Sequence, residues 1–274
     1  MMADEIRQIT LNGVELGYCI HGAGPNKPPL VFVHGYGMRS TAGPYEELLE
    51  LLARRYAVHA LDLRGHGASA GTLEGWTFAA LADDVVAFSR ALALDGPVFV
   101  GHSFGAIIGL LAEIRHPGVF SALCLLSPGP ADPTHDPVDA VELFIEHGHD
   151  RDMLREGVRR MFVHLTGRML DLTLDAMMLV DKRVHCALQQ QNSQISIDDQ
   201  LKDVAAPVLL ICGESDSVVP PARHHDMARK VQRSKEVVFS AEGHMLPNER
   251  APIAAREILT FLDHDRGPMV IAPH

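Results

Sequence analysis

The chain has 274 residues, 47% of them hydrophobic, enough to bury a full core as one large α/β domain or one domain carrying an insertion. Its formal charge is −11, from 24 Lys plus Arg against 35 Asp plus Glu, and the acidic groups are scattered along the chain, which argues against a nucleic-acid partner. Cys19, Cys124, Cys186 and Cys212 lie far apart with no C-x-x-C spacing and read as buried thiols of a reducing compartment; the acidic start Met1-Met2-Ala3-Asp4-Glu5 lacks an apolar core and no run is long enough to span a bilayer, so a cytoplasmic protein without a membrane partner is expected.

Ile6 to Leu11 and Val14 to Ile20 are short strand-like runs around Asn12-Gly13, a two-residue hairpin signal. Leu30 to Val33 follows Pro28-Pro29 as a continuous apolar run, the pattern of a strand covered on both faces, and Tyr45 to Arg54 has helical spacing. The unit repeats: Tyr56 to Leu61 predicts a strand, Phe78 to Leu92 a helix, Val98 to Val100 a strand, Phe104 to Ile114 a helix and Ala122 to Leu126 a strand. Strands alternating with helices imply right-handed crossovers and a mostly parallel sheet with helices on both faces.

From about Pro130 to Asp199 no strand-like run occurs, only helical stretches around Val138 to His147, Met153 to Leu165 and Leu172 to Gln190. Alternation resumes with a strand at Pro207 to Cys212, a helix at Ala222 to Lys230, a strand at Glu236 to Phe239 and a helix at Ile253 to Phe261. The expected organisation is therefore a core over 1–129 and 201–274, with a helical lid inserted at 130–200. The lid methionines Met153, Met161, Met169, Met177 and Met178 fit ordinary helix packing or an adaptable apolar pocket wall.

Gly101-His102-Ser103-Phe104-Gly105 joins the strand ending at Val100 to the next helix. A serine between glycines at a strand-to-helix turn matches a nucleophile elbow, because a strained turn tolerates only tiny neighbours. A serine hydroxyl needs a base within hydrogen-bond reach and a third group to orient that base. His244, in Ala241-Glu242-Gly243-His244-Met245, lies just past the last strand and is the candidate base. Asp216, in Gly213-Glu214-Ser215-Asp216, follows the preceding strand and is the candidate carboxylate, with Glu214 and Asp132 as competitors. The backbone amides of Phe104 and of Tyr36, in the glycine turn His34-Gly35-Tyr36-Gly37, are the candidate oxyanion donors. His34, Gly35, Gly37, Gly101, His102 and Gly105 are expected to brace or line the site, while the adjacent His224-His225 would face different ways on a helix and makes a poor metal pair.

Together with the loop Asp62-Leu63-Arg64-Gly65-His66-Gly67-Ala68-Ser69 and with Glu249, these motifs resemble the landmarks of the α/β-hydrolase superfamily over roughly residues 6 to 262. The resemblance implies an eight-stranded sheet whose second strand is antiparallel, a Ser/Asp/His triad, a lid after the sixth strand and no cofactor. Serine at 103 points away from the haloalkane dehalogenase and epoxide hydrolase branches, which place aspartate at the elbow. In related C–C bond hydrolases a lid arginine and a tryptophan after the catalytic histidine hold a dienoate carboxylate; here Met245 follows His244 and Trp76, the only tryptophan, lies elsewhere, although Arg159 and Arg183 are in the lid. The resemblance therefore implies an esterase or lactonase acting on a small-molecule ester or lactone with an apolar portion. A C–C hydrolase or cofactor-free perhydrolase using the same triad, a ligand-sensing receptor of this fold, and a homodimer are left open.

Overall fold

The computed structural model describes residues 5–69, 71–132, 150–192 and 194–264. Eight strands form one sheet: β1 (Arg7–Leu11), β2 (Val14–His21), β3 (Pro29–Val33), β4 (Ala57–Leu61), β5 (Val98–His102), β6 (Ala122–Leu126), β7 (Val208–Gly213) and β8 (Ser234–Phe239), in the order β1-β2-β4-β3-β5-β6-β7-β8. β2 is antiparallel to both its neighbours, and every pairing from β4 to β8 is parallel. Every residue of β5, β6 and β7 is buried, the signature of strands covered on both faces. β8, at the edge beyond β7, pairs on one side only, and its first residues, Ser234-Lys235, carry no apolar signal and join the sheet through the backbone.

Helices α1 (Glu46–Ala53), α2 (Phe78–Ala91) and α3 (Phe104–Arg115) follow β3, β4 and β5. The chain after β6 supplies α4 (Arg151–Arg160), α5 (Gly167–Met177) and α6 (Lys182–Asn192); α7 (Pro221–Lys230), the short α8 (Leu246–Glu249) and α9 (Ala251–His264) complete the described helices. One apolar layer joins α2, α3 and α7 to the sheet through Phe88, Leu110 and Met227; the other joins α1 and α9 through Leu48, Leu52, Ile258 and Phe261. The helices inserted after β6 reach both layers: α6 contributes Val184 and Leu188 to the first, whereas α4 and α5 contribute Leu154, Val158 and Leu174 to the second.

Within that insertion the boundaries differ from the periodicity, and the expected helix at Val138 to His147 lies outside the described residues. Asp150 caps α4, which ends at Arg160, short of Leu165, because residues 161–164 leave the helix axis to pack on the loop around Gly243 and the His164 amide donates to Glu249 Oε1. The stretch Leu172 to Gln190 is two helices. Thr166 Oγ1 accepts from Met169 N to start α5 early, and Asp181 Oδ1 accepts from Arg183 N at 2.8 Å to start α6 afresh. Met177 is buried while Met153 is 44% exposed, so the methionines do not share one face. Cys19, Cys124 and Cys212 are buried as expected; Cys186, on α6, is exposed, and none of the four forms a disulfide.

Candidate active site

Four strands deliver residues to one edge of the sheet. Tyr36 follows β3, Ser103 follows β5, Asp216 follows β7 and His244 follows β8, all at carboxyl ends. β3 and β5 are neighbours at the point where strand order reverses, where open α/β sheets hold their ligands.

The serine turn is strained. Ser103 has φ 50° and ψ −113°, a conformation that L side chains rarely adopt. It is held by its amide, which donates to Leu126 O at 2.9 Å, and by its carbonyl, which accepts from Ala106 and Gly129 amides at 3.1 Å each. A Cβ on Gly101 would lie 2.8 Å from Ala106 N, and one on Gly105 would lie 2.5 Å from His34 O and 2.6 Å from Val33 O. The two glycines thus let α3 start directly on β5 and press against the end of β3.

His244 reaches Ser103 from the loop after β8. Its Nε2 lies 2.9 Å from Ser103 Oγ and its Nδ1 lies 2.9 Å from Asp216 Oδ2. The other carboxylate oxygen, Oδ1, accepts the amides of Val218 at 2.8 Å and Val219 at 2.9 Å. Burial by itself raises the Asp216 carboxyl, but the bond to His244, the charge there and the two amides outweigh it, so its pKa lies below the ordinary value. An ionised carboxylate only accepts, so Nδ1 donates; a neutral ring then presents Nε2 as the acceptor of the Ser103 proton. The loops carrying Asp216 and His244 are zipped together: Ser215 N donates to Glu242 O at 2.9 Å, and a Cβ on Gly213 would fall 2.0 Å from Glu242 O. Of the competing carboxylates, Glu214 is exposed and Asp132 pairs with Arg223 at 2.7 Å, away from His244.

The candidate oxyanion stretch is a turn closed by Met38 N donating to Gly35 O at 3.1 Å, with Gly37 at φ +74°. Phe104 is the first residue of α3, so its amide has no acceptor within the helix. The rings of Tyr36 and Phe104 meet edge to face at 6.3 Å, so these two stretches are adjacent. Phe104 in turn stacks on Trp76 at 6.0 Å.

The supporting histidines are buried and neutral. His34 Nδ1 donates to Gly35 O at 2.8 Å and its Nε2 accepts Leu63 N at 3.1 Å, and burial lowers its pKa to about 4. His102 donates from Nε2 to the His244 carbonyl at 3.0 Å and meets Tyr45 Oη at 2.6 Å through Nδ1. Tyr45 has no counterpart in the sequence reading: nothing in the motif pattern links it to residues 57 positions away. The inserted helices also touch the site. Met177 on α5 lies against Gly37, Val163 lies against Gly243, and His185 on α6 hydrogen-bonds Tyr36 Oη through Nδ1. His224 and His225 do part ways, His224 Nε2 donating to Pro128 O at 2.9 Å and His225 pairing with Glu236 at 3.0 Å. Among the described residues no cluster of His, Cys, Asp and Glu could hold a metal, and no helix is long and apolar enough to cross a membrane.

Comparison with known proteins meets the same fold. The profile described as "Alpha/beta hydrolase family" matches residues 30–256. The chain is 30% identical to the uncharacterized hydrolase YugF of Bacillus subtilis, over 94% of this chain and 97% of that protein. It is also 30% identical to a pimeloyl-[acyl-carrier protein] methyl ester esterase of Xanthomonas campestris, over 79% of this chain and 88% of the esterase. Among solved structures, the enol-lactonase from Burkholderia xenovorans superposes with a TM-score of 0.82 at 21% identity, covering 94% of this chain and all of the lactonase, a likeness of fold.

Proposed function

The chain belongs to the alpha/beta hydrolase family, and on that premise we propose that it is a serine hydrolase cleaving a carboxylic ester or lactone through an acyl-enzyme. The observation that carries the proposal is the unbroken row of Ser103 Oγ, His244 and Asp216, with 2.9 Å at each junction. Support comes also from a relative whose name records ester hydrolysis.

In this reading Ser103 Oγ attacks the acyl carbon while His244 Nε2 takes its proton, and Asp216 balances the imidazolium that forms. The amides of Tyr36 and Phe104 receive the negative oxygen of the tetrahedral intermediate; such preorganised donors supply several kcal/mol. His244 then returns the proton to the departing alkoxide, leaving an acyl ester on Ser103. A water molecule, deprotonated by the same nitrogen, attacks that ester and restores the hydroxyl. Every group required is a side chain or amide of this chain, so the proposal calls on no cofactor.

We assign residues 130–200 as a lid. Support comes from Met177, which lies against Gly37 of the oxyanion stretch, and Val163, which lies against Gly243 in the loop that carries His244. With Tyr36, Phe104 and Trp76 adjoining, such a wall suits an apolar portion of a small-molecule substrate.

The deciding experiment combines Ser103→Ala with a panel of chromogenic esters, lactones and a dienoate substrate. Wild-type protein is expected to turn over esters or lactones and to be labelled at Ser103 by a fluorophosphonate, with both lost in Ser103→Ala and the fold retained. Wild-type turnover in the variant refutes the assignment of Ser103, and cleavage of the dienoate alone replaces the ester reading with a C–C one.

A further inference from the structure

We infer that Tyr45 is a positioning residue: through His102 it forms one hydrogen-bonded wire that holds the oxyanion stretch and the His244 loop in register for turnover. The inference rests on the serine-hydrolase reading of the same site and adds a residue that neither the motifs nor the triad contain.

The wire runs Gly35 N to Tyr45 Oη at 3.0 Å, Tyr45 Oη to His102 Nδ1 at 2.6 Å, and His102 Nε2 to the His244 carbonyl at 3.0 Å. Its polarity has one solution. A carbonyl oxygen only accepts, so His102 Nε2 carries a proton. Burial first, and then the charge of His244, lower the His102 pKa to about 3, so the ring is neutral and Nδ1 is a bare lone pair. Tyr45 must therefore donate its hydroxyl proton to Nδ1 while its oxygen accepts the Gly35 amide. Any other arrangement sets two donors or two lone pairs against each other in a buried space.

Each end of the wire touches a proposed catalytic part. Gly35 precedes Tyr36, whose amide is assigned to the oxyanion. His244 is the base, held at its backbone, and His102 itself precedes Ser103. Packing around the wire leaves no slack: a Cβ on Gly35 would lie 2.8 Å from His102 Nδ1 and 3.2 Å from Tyr45 Oη. Tyr45 is 1% exposed and its ring packs on Phe32 at 4.9 Å, so the hydroxyl has a fixed origin. Tyr45→Phe deletes one hydroxyl from this chain and keeps the ring. Gly35 N–H and His102 Nδ1 then lose their shared partner, and the His102 ring, held only through its Nε2 bond to the His244 carbonyl, is no longer tied to the oxyanion stretch. Such a change misaligns base and oxyanion donors without touching the wall that binds substrate.

The test uses the full chain as wild type, Tyr45→Phe, His102→Phe and the double variant. Nitrogen-15 NMR of histidine side chains near neutral pH is expected to show wild-type His102 neutral and protonated on Nε2. With a chromogenic ester, Tyr45→Phe should lose about 10- to 100-fold in kcat while KM stays within about threefold. Because the two side chains act as one unit, the double variant should be no slower than the slower single one. A wild-type His102 protonated on Nδ1, or a Tyr45→Phe kcat within about threefold of wild type, overturns the inference. Should His102→Phe fail to fold, the wild-type tautomer and Tyr45→Phe still decide. A wild type inert to esters and to fluorophosphonate overturns the hydrolase reading instead, and the His102 tautomer then judges the wire alone.

Discussion

Arg64 Nη2 donates to Asp84 Oδ1 at 2.8 Å, with Nε on the other carboxylate oxygen, and both side chains are buried, at 6% and 1% exposure. Asp84 also accepts Asn12 Nδ2 at 2.8 Å, and Arg64 Nη1 donates to Glu74 O at 2.6 Å, so the pair ties the β1–β2 turn, the loop after β4 and α2 together. Truncating one partner strands a buried charge. Asp84→Ala is expected to lose about 3–5 kcal/mol of unfolding free energy in urea, and Asn12→Ala only about 1 kcal/mol. Equal effects in the two variants would refute this division.

Gly105 is tested by adding a single methyl. Its Cβ would meet His34 O at 2.5 Å and Val33 O at 2.6 Å, both backbone atoms that cannot rotate away. Gly105→Ala should lower stability by about 1–3 kcal/mol and depress ester turnover, because α3 must back off the end of β3. Gly167→Ala, where the methyl meets nothing within 4 Å, is the control and should stay within about 0.5 kcal/mol of wild type in thermal melts.

Asp216→Asn preserves shape but replaces an acceptor-only group facing His244 Nδ1. The amide can present its N–H to that nitrogen and favour the tautomer with the proton on Nε2, which cannot take a proton from Ser103. Turnover of a chromogenic ester should fall about ten-thousandfold, with little change in melting temperature. A variant within about tenfold of wild type would remove Asp216 from the mechanism.

Acid should destabilise this fold through its buried histidines. Burial lowers His34 to about 4 and His66 to about 3, and burial with His244's charge lowers His102 to about 3, against 6.5 in the unfolded chain. Below pH 6.5 the unfolded state therefore binds protons that the folded state refuses. The stability is fully present above pH 6.5 and is lost as the pH falls toward these folded values. Each histidine contributes up to about 1.4 kcal/mol per pH unit in that window. Urea midpoints should drop from pH 6.5 downward, and His66→Asn, which retains a donor for the Arg64 carbonyl, should flatten the drop. An unchanged pH slope in that variant would show that His66 is not among the groups responsible.

What could be read without coordinates was local. The strands at Leu30–Val33, Ala122–Leu126 and Val208–Cys212 are continuous apolar runs after proline, glycine or polar breaks, and a run buried on both faces needs no partner to be recognised. Ser103, Asp216 and His244 could be singled out because each lies at or a few residues past the end of a strand, and parallel strands bring their carboxyl ends to one edge. The cap Asp181 is also a signal in the chain, but a continuous helical period over Leu172 to Gln190 hides it until the break after Met177 is seen.

Sequence by itself thus determined which stretches are strands, their alternation with helices, and which side chains gather at the carboxyl edge of the sheet, since these follow from period and turn chemistry within a few residues. Only the tertiary structure decided that α4 stops at Arg160, that Ser234-Lys235 extend the edge strand, and that Tyr45 shares hydrogen bonds with Gly35 and His102. Those outcomes depend on a helix packing on a distant loop, a backbone pairing indifferent to side chains, and a hydroxyl whose partners lie 10 and 57 residues away. No local pattern records them, because the competing free energies exist only once the layers have closed.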